Sequence, residues 1–368
     1  MKISELDTPS LLADRGIMLD NLSYMLSYAK ENGCTLRPHT KTHKTPRIAK
    51  LCEELGAVGI AVAKTEEAEV MAENGLSDIF IANEIAGAAK LERIKKLAQK
   101  INISFGADCV EHLKLAEQVF SDSPVPAQIM IEIEVGEVRS GVIKDEDFLK
   151  LLEFFKSAEH VVLRGLFSHD GNCYRAKDME ELVSISKGAQ ERTLHFAAVA
   201  RAKGFECPVI SYGATPTFMN RVPILEGITE LRPGTFIFMD AAQGNAVGDM
   251  GKCAATVLAT VMSKPTSQRV ILDVGAKGLT MQKRSEGICA VEGLGIVKGF
   301  ENVYIQRMFD EHAIIENEEF NKSVSIGQKV RIIPVHICPV CNLYDTLYLT
   351  DGEDVVEELP ILCRGKLK

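Results

Sequence analysis

The residues with the greatest chemical capacity cluster in Arg37-Pro38-His39-Thr40-Lys41-Thr42-His43-Lys44, where two lysines and two histidines share one short segment. A lysine amine can condense with a carbonyl or remove a proton. Further reactive types recur along the chain: Lys64, Arg139, and the group His169, Asp170 and Tyr174. Two small-residue segments, Tyr212-Gly213-Ala214-Thr215 and Arg232-Pro233-Gly234-Thr235, suit a phosphate held by backbone N–H groups. A lysine facing such loops is what a pyridoxal-phosphate Schiff base requires. A second constellation is His336-Ile337-Cys338-Pro339-Val340-Cys341. On a strand, His336 and Cys338 would point to one face, and imidazole with thiolate is a good zinc pair. Each feature alone also suits a bland role. The lysine–histidine segment fits a solvated loop, Gly213 and Gly234 fit turns, and Arg139 fits an ion pair with Glu132, Glu134 or Glu137. The His336–Cys338 stretch also fits a core strand ending in a turn, and its CxxC spacing fits a redox pair.

The elements that must carry these residues read as an α/β chain. Strand candidates fall at about 34–39, 58–63, 78–83, 101–106, 128–135, 162–168, 208–212 and 229–232, separated by helical periods such as 18–32, 46–55 and 146–157. Thr45-Pro46 reads as a capped helix start. Eight such strands predict a (β/α)8 TIM-type barrel, and the candidates fall after the strands, at the rim where such barrels keep their chemistry. No dinucleotide-type glycine fingerprint follows the first strand. After about 245, runs at 257–261, 270–274, 330–333 and 346–349 predict an all-β C-terminal domain. The expected division is a barrel over 13–244 and a β domain over 245–368 that also takes in 1–12.

Composition narrows the function classes. With 46% hydrophobic and 25% charged residues over 368 positions, the chain is ordinary globular protein of about two domains. A net charge of −9 argues against nucleic acid as partner. No signal-peptide pattern and no apolar run long enough for a membrane helix is present. Ten scattered cysteines suggest reduced thiols in a cytoplasmic protein.

Taken together, these segments resemble fold-type III pyridoxal-phosphate enzymes of the D-threonine aldolase and eukaryotic-type D-serine dehydratase group, built like alanine racemase. The resemblance runs over essentially the whole chain: Thr8-Pro9, RPHTKTHK at 37–44, EVGEVRSGV at 134–142, SHDGNCY at 168–174, YGATPT at 212–217, ELRPGTF at 230–236, Asp273-Val274-Gly275, Glu311-His312 and PVHICPVCNLYD at 334–345. It implies a homodimer with the active site near the subunit interface, a small D-amino acid as substrate, and a metal beside the cofactor. It assigns the cofactor lysine to Lys41 and the metal pair to His336 and Cys338. Arg139, Tyr174, Tyr212, Gly213, Thr215, Gly234 and Thr235 would contact the cofactor, with His169 and Tyr174 lining the substrate pocket. Histidine with cysteine accompanies zinc-dependent dehydratases in that group, and histidine with aspartate the metal-activated aldolases. The chain departs from the pattern at Val335, where asparagine is frequent, and at Cys341. The expected activity is dehydration of D-serine or a related D-3-hydroxy amino acid. Aldol cleavage to glycine and an aldehyde is the alternative, and a non-catalytic cofactor-binding protein the third reading.

Overall fold

Short β-branched and apolar runs alternating with amphipathic helices leave the strands buried on both faces, which favours parallel pairing. The computed structural model describes residues 1–368 and resolves two compact units. One comprises Met25–Lys41, Pro46–Gly234 and Lys366–Lys368. It holds eight parallel strands: Thr35–Leu36, Ile60–Val62, Asp78–Glu84, Asn102–Ala107, Ala127–Ile133, Val161–Ser168, Val209–Tyr212 and Glu230–Leu231. The first strand pairs with the eighth, and each of the others with its sequence neighbour. Past Leu36 the chain stays extended: Thr40 N–H donates to Ala61 O at 2.8 Å, and Ala61 N–H to Pro38 O at 2.9 Å. Those bonds close the sheet on itself, as the strand count predicted. The helices Pro46–Glu54 and Asp145–Ser157 also lie where the periodicity put them. Thr45, however, does not cap by its side chain. Its hydroxyl donates back to His43 O at 2.7 Å.

Inside the barrel, Ala61, Phe80, Met130 and Phe167 form a buried cluster, with the two phenyl rings edge to face at 5.0 Å. This plug supplies a rigid floor for whatever stands above it. Arg37, which opens the reactive-looking segment, serves the scaffold instead. Its guanidinium is 2.7 Å from Glu230 and 2.7 Å from Asp78, and its side chain is only 5% exposed. Removing one partner from such a buried set leaves uncompensated charge. Arg37→Ala should therefore cost about 3–5 kcal/mol in urea denaturation. A loss below about 1 kcal/mol, the range of surface pairs, would show that the pair is screened.

The other unit, Met1–Tyr24, Thr42–Thr45 and Thr235–Gly365, is built on a nine-stranded sheet. Its N-terminal strand Ser10–Asp14 lies between Ala255–Ser263, antiparallel, and Thr346–Asp351, parallel. Ile3, Leu6, Leu12 and Leu258 pack as one cluster, which ties the first residues of the chain to this sheet. The expected strands near 257, 270, 330 and 346 are present. Those at Gly295–Val297, Arg307–Met308, Ala313–Glu316 and Asp354–Pro360 were not foreseen, being short or solvated edge segments with little apolar alternation. The unit is mostly sheet rather than purely so, since short helices occur at Ala276–Leu279, Glu318–Ser323 and Ile337–Cys341.

One of those helices corrects the geometry assumed for the metal pair. The strand Lys329–Pro334 ends before His336, and Cys338 lies in the first turn of Ile337–Cys341. The buried Asp240 carboxylate accepts the Ile337 N–H at 3.0 Å and satisfies a donor that a helix start leaves open. Strand periodicity therefore does not orient His336 and Cys338; a capped turn does.

Candidate functional site

The two histidines of the 37–44 segment shape the backbone in the same way. His39 Nδ1 accepts the Lys41 N–H at 3.3 Å, and His43 Nδ1 accepts the Thr45 N–H at 3.1 Å. Each is a side-chain-to-backbone turn of the kind asparagine usually makes. The first turn fixes Lys41, half-buried, at the point where the first strand leaves the barrel. Burial, then Lys41 and Arg232, hold His39 well below the usual histidine range, so it is neutral at pH 7. Burial also pushes His43 down to about 3. Lys44 is turned elsewhere: it is buried, and its Nζ donates to Cys363 O at 3.4 Å.

Across the barrel mouth, His169 follows the sixth strand and its Nδ1 donates to Gly213 O at 2.6 Å. That bond fixes the tautomer and leaves Nε2 as the acceptor, 4.0 Å from Glu137. Burial, then Lys41 and Arg139, keep His169 neutral as well. Tyr174 stands beside it, ring centroids 6.4 Å apart. Gly213 is required where it lies: a Cβ there would come within 2.8 Å of Arg232 O. Arg139 is half exposed and pairs with Glu132 at 3.1 Å and Glu137 at 3.3 Å, but not with Glu134. Glu84 is pushed up by burial and by its hydrogen bond with Glu132, so it is the carboxyl that holds a proton here. Ser140 Oγ completes the set, donating to Glu132 at 2.6 Å.

Sequence reasoning left Arg232 out of the site, yet it stands at the centre of the barrel. Its guanidinium lies over Phe167 at 5.3 Å and Phe80 at 5.9 Å and donates to Ser168 O at 2.9 Å. Burial pulls it down to about 10, still a cation at neutral pH. The signal was present in Arg-Pro-Gly-Thr, but an arginine ending a strand is indistinguishable by type from one facing solvent.

Below this rim lies a polar network. Asp170 Oδ2 accepts from Tyr212 Oη, from Thr217 Oγ1 at 2.9 Å and from Ser186 Oγ at 3.3 Å. Tyr212 thus spends its hydroxyl on Asp170, and only its backbone remains for a phosphate. Burial raises Asp170 from 3.8 to about 6. A raised folded-state value means the folded protein binds the extra proton, so this contribution is complete below about pH 4 and lost as pH rises through 6. The interval is worth at most about 3 kcal/mol. Asp170→Asn should remove that fall, so its stability relative to the parent climbs between pH 4 and 7. Parallel pH profiles of the two melting curves would refute the assignment.

Does this rim fit pyridoxal phosphate? Thr215 Oγ1 is buried and has no hydrogen-bond partner, at the end of the segment expected to cradle a phosphate and the start of the short helix Thr215–Met219. An unsatisfied hydroxyl of this kind fits an anion acceptor. With the half-buried Lys41 and the cations Arg139 and Arg232, the residues fit the group.

The other unit holds the second constellation. Cys338 Sγ is 3.2 Å from Thr42 Oγ1 and 3.6 Å from Thr235 Oγ1, and Thr42 follows Lys41 directly in the chain. Arg284 donates to His336 Nδ1 at 2.9 Å. Asp240 is held above its usual range by burial, with His336 opposing that rise. An imidazole and a half-buried sulfur are ligand types that suit zinc. Cys341 is buried, and burial followed by Cys338 pushes its thiol well up.

Comparison with known proteins agrees with this architecture. Residues 14–242 match the family model of the alanine racemase N-terminal domain, and residues 254–350 that of a serine dehydratase domain. The chain is 33% identical to a D-threonine aldolase from Arthrobacter sp over 99% of its own length and 94% of the aldolase. It is 28% identical to a D-threo-3-hydroxyaspartate dehydratase from Delftia sp. (strain HT23) over 90% and 91%. The crystal structure of D-threonine aldolase from Filomicrobium marinum superposes with a TM-score of 0.91 at 28% identity, covering 100% of this chain and 98% of that one. A cysteine-to-alanine mutant of a D-threo-3-hydroxyaspartate dehydratase, solved in a metal-free form, gives 0.91 at 25% identity over 98% of each chain. No helix of this chain is long and apolar enough to cross a membrane.

Proposed function

Because the chain belongs to the family of pyridoxal-phosphate-dependent lyases that includes D-threonine aldolase and D-serine dehydratase on the alanine racemase fold, we propose that it removes water from a D-3-hydroxy amino acid to give a 2-oxo acid and ammonia. The observation that carries this choice is the sulfur of Cys338, set among the hydroxyls of Thr42 and Thr235. A thiolate with an imidazole selects zinc over harder ions. Hydroxide leaves poorly at neutral pH, so dehydration needs such a Lewis acid. The metal-free cysteine mutant of the related dehydratase supports a cysteine in that role.

When bound, pyridoxal phosphate supplies the electron sink for a carbanion at Cα, and zinc on His336 and Cys338 the polarisation of the β-hydroxyl. The protein does the rest. Lys41 Nζ takes the proton from Cα. His169, neutral and fixed by Gly213, presents Nε2 as an acceptor on the substrate side without adding charge. Arg139 and Arg232 would supply positive charge toward the cofactor and the substrate carboxylate. Thr215 and the backbone at Gly213 and Gly234 would hold the phosphate.

Aldol cleavage remains the second reading, favoured by the 33% identity to a D-threonine aldolase over nearly the whole chain. Incubation with D-serine, D-threonine and D-threo-3-hydroxyaspartate separates the two. A 2-oxo acid with stoichiometric ammonia is expected; glycine with an aldehyde as the main products would replace the dehydratase with the aldolase.

A further inference from the structure

We propose that Asp108, Cys109 and His112 form a second binding site, for a divalent transition ion of the zinc type, sharing no residue with the pair at 336 and 338. The three stand where the strand Asn102–Ala107 passes into the helix Val110–Phe120. Cys109 is the residue before the first helical turn and His112 lies three positions on. Those two positions face each other, as in a capping box. The Cys109 sulfur lies near the backbone N–H groups of Glu111 and His112 at this helix start, which accounts for the cysteine as a weak cap but not for the histidine and aspartate beside it.

The geometry does. His112 Nδ1 is 3.2 Å from Asp108 Oδ1 and 3.3 Å from Cys109 Sγ. In a nucleophile–base–acid relay, the acid and the nucleophile would occupy opposite ring nitrogens. Both crowd the same nitrogen, so the trio surrounds a point instead of forming a line. Hydrogen bonds from the imidazole and the thiol to Asp108 can hold the trio together; an ion at the centre would displace those hydrogens and bind all three. Zinc bond lengths imply tetrahedral edges of about 3.3 Å between N and O and about 3.6 Å between N and S. The two measured separations fall within a few tenths of an ångström of these, and all three ligand atoms lie within 4.8 Å of one another.

The site is also accessible. The side chains of His112 and Asp108 are 20% and 24% exposed. A groove of about 760 Å³ lined in part by Asp108, Cys109 and Gly141 leaves room for water at the fourth position. Three protein ligands with an open place form a familiar zinc arrangement. Asp108 Oδ2 meanwhile accepts the Gly141 N–H at 3.2 Å. An ion bound through Oδ1 would therefore fix the carboxylate that holds the loop carrying Arg139.

The test starts from the holoenzyme bearing His336→Ala and Cys338→Ala, dialysed against zinc with a weak competing chelator. One zinc per chain is expected in that background, with a thermal midpoint that rises on zinc addition. Adding Cys109→Ser and His112→Gln should weaken binding at least tenfold and abolish the rise. Cobalt(II) gives an independent readout on folded protein: its thiolate charge-transfer absorption, taken as a difference spectrum, should survive Cys338→Ala and vanish when the near-isosteric Cys109→Ser is added to Cys338→Ala. Zinc absent from the His336→Ala/Cys338→Ala protein, or a cobalt spectrum unmoved by Cys109→Ser, would reduce the cluster to an Asp108–His112 ion pair.

Discussion

Lys41→Ala is expected to lose both the yellow absorbance of the lysine-bound cofactor and at least about 10³-fold in turnover, the upper range for a general base before counting the lost covalent link. Lys44→Ala should keep the colour. The contrast follows from where the structure sends the two amines. Lys41 leaves the first strand at the barrel mouth, behind a turn that His39 closes on its N–H. Lys44 has a positive φ of 54° and is pinned to the Cys363 backbone, donating through Nζ and accepting the Cys363 N–H at 3.0 Å. Its loss should cost about 1–2 kcal/mol in stability, the price of a buried hydrogen bond and its packing, and leave the cofactor in place. A colourless Lys44→Ala beside a yellow Lys41→Ala would reverse the assignment.

The second large effect concerns the metal. Cys338→Ala, or exhaustive chelation, should lower dehydration of D-serine by about 10²–10³-fold, because Lewis-acid help is worth several kcal/mol and each 1.36 kcal/mol is tenfold in rate. Cofactor absorbance should persist, since the residues fitted to the phosphate and to the lysine do not include Cys338. Thr42→Ala should have a much smaller effect, because its hydroxyl touches the sulfur at 3.2 Å without being one of the proposed ligands. Undiminished turnover in metal-free Cys338→Ala would remove the metal from the mechanism.

Much of this was legible from residue order. Eight strands could be placed because each is a short apolar run between helical periods, and that alternation survives any detail of packing. The loops after the seventh and eighth strands were recognisable by composition, and Gly213 is where a side chain has no room. Resemblance then separated Lys41 from Lys44, which spacing alone could not do.

Tertiary structure decided the rest. Arg37 and Arg232 are the same residue type, each at the end of a barrel strand. One is consumed by Glu230 and Asp78, while the other stands over two phenylalanine rings at the centre of the barrel. Their partners are distant in the chain, and charge pairing leaves no local pattern. His336 and Cys338 were expected on a strand and stand at a helix start instead, because the turn that orients them is capped by Asp240, far upstream in sequence. Tyr212, the last residue of its strand, was expected at the cofactor, and its hydroxyl was drawn away by Asp170. The sequence by itself determined the barrel and the sheet domain, because periodicity and composition are local. Which charged groups face the mouth and which are spent within the scaffold depended on long-range neighbours, because the energy of a charge is set by what surrounds it and not by the residue that carries it.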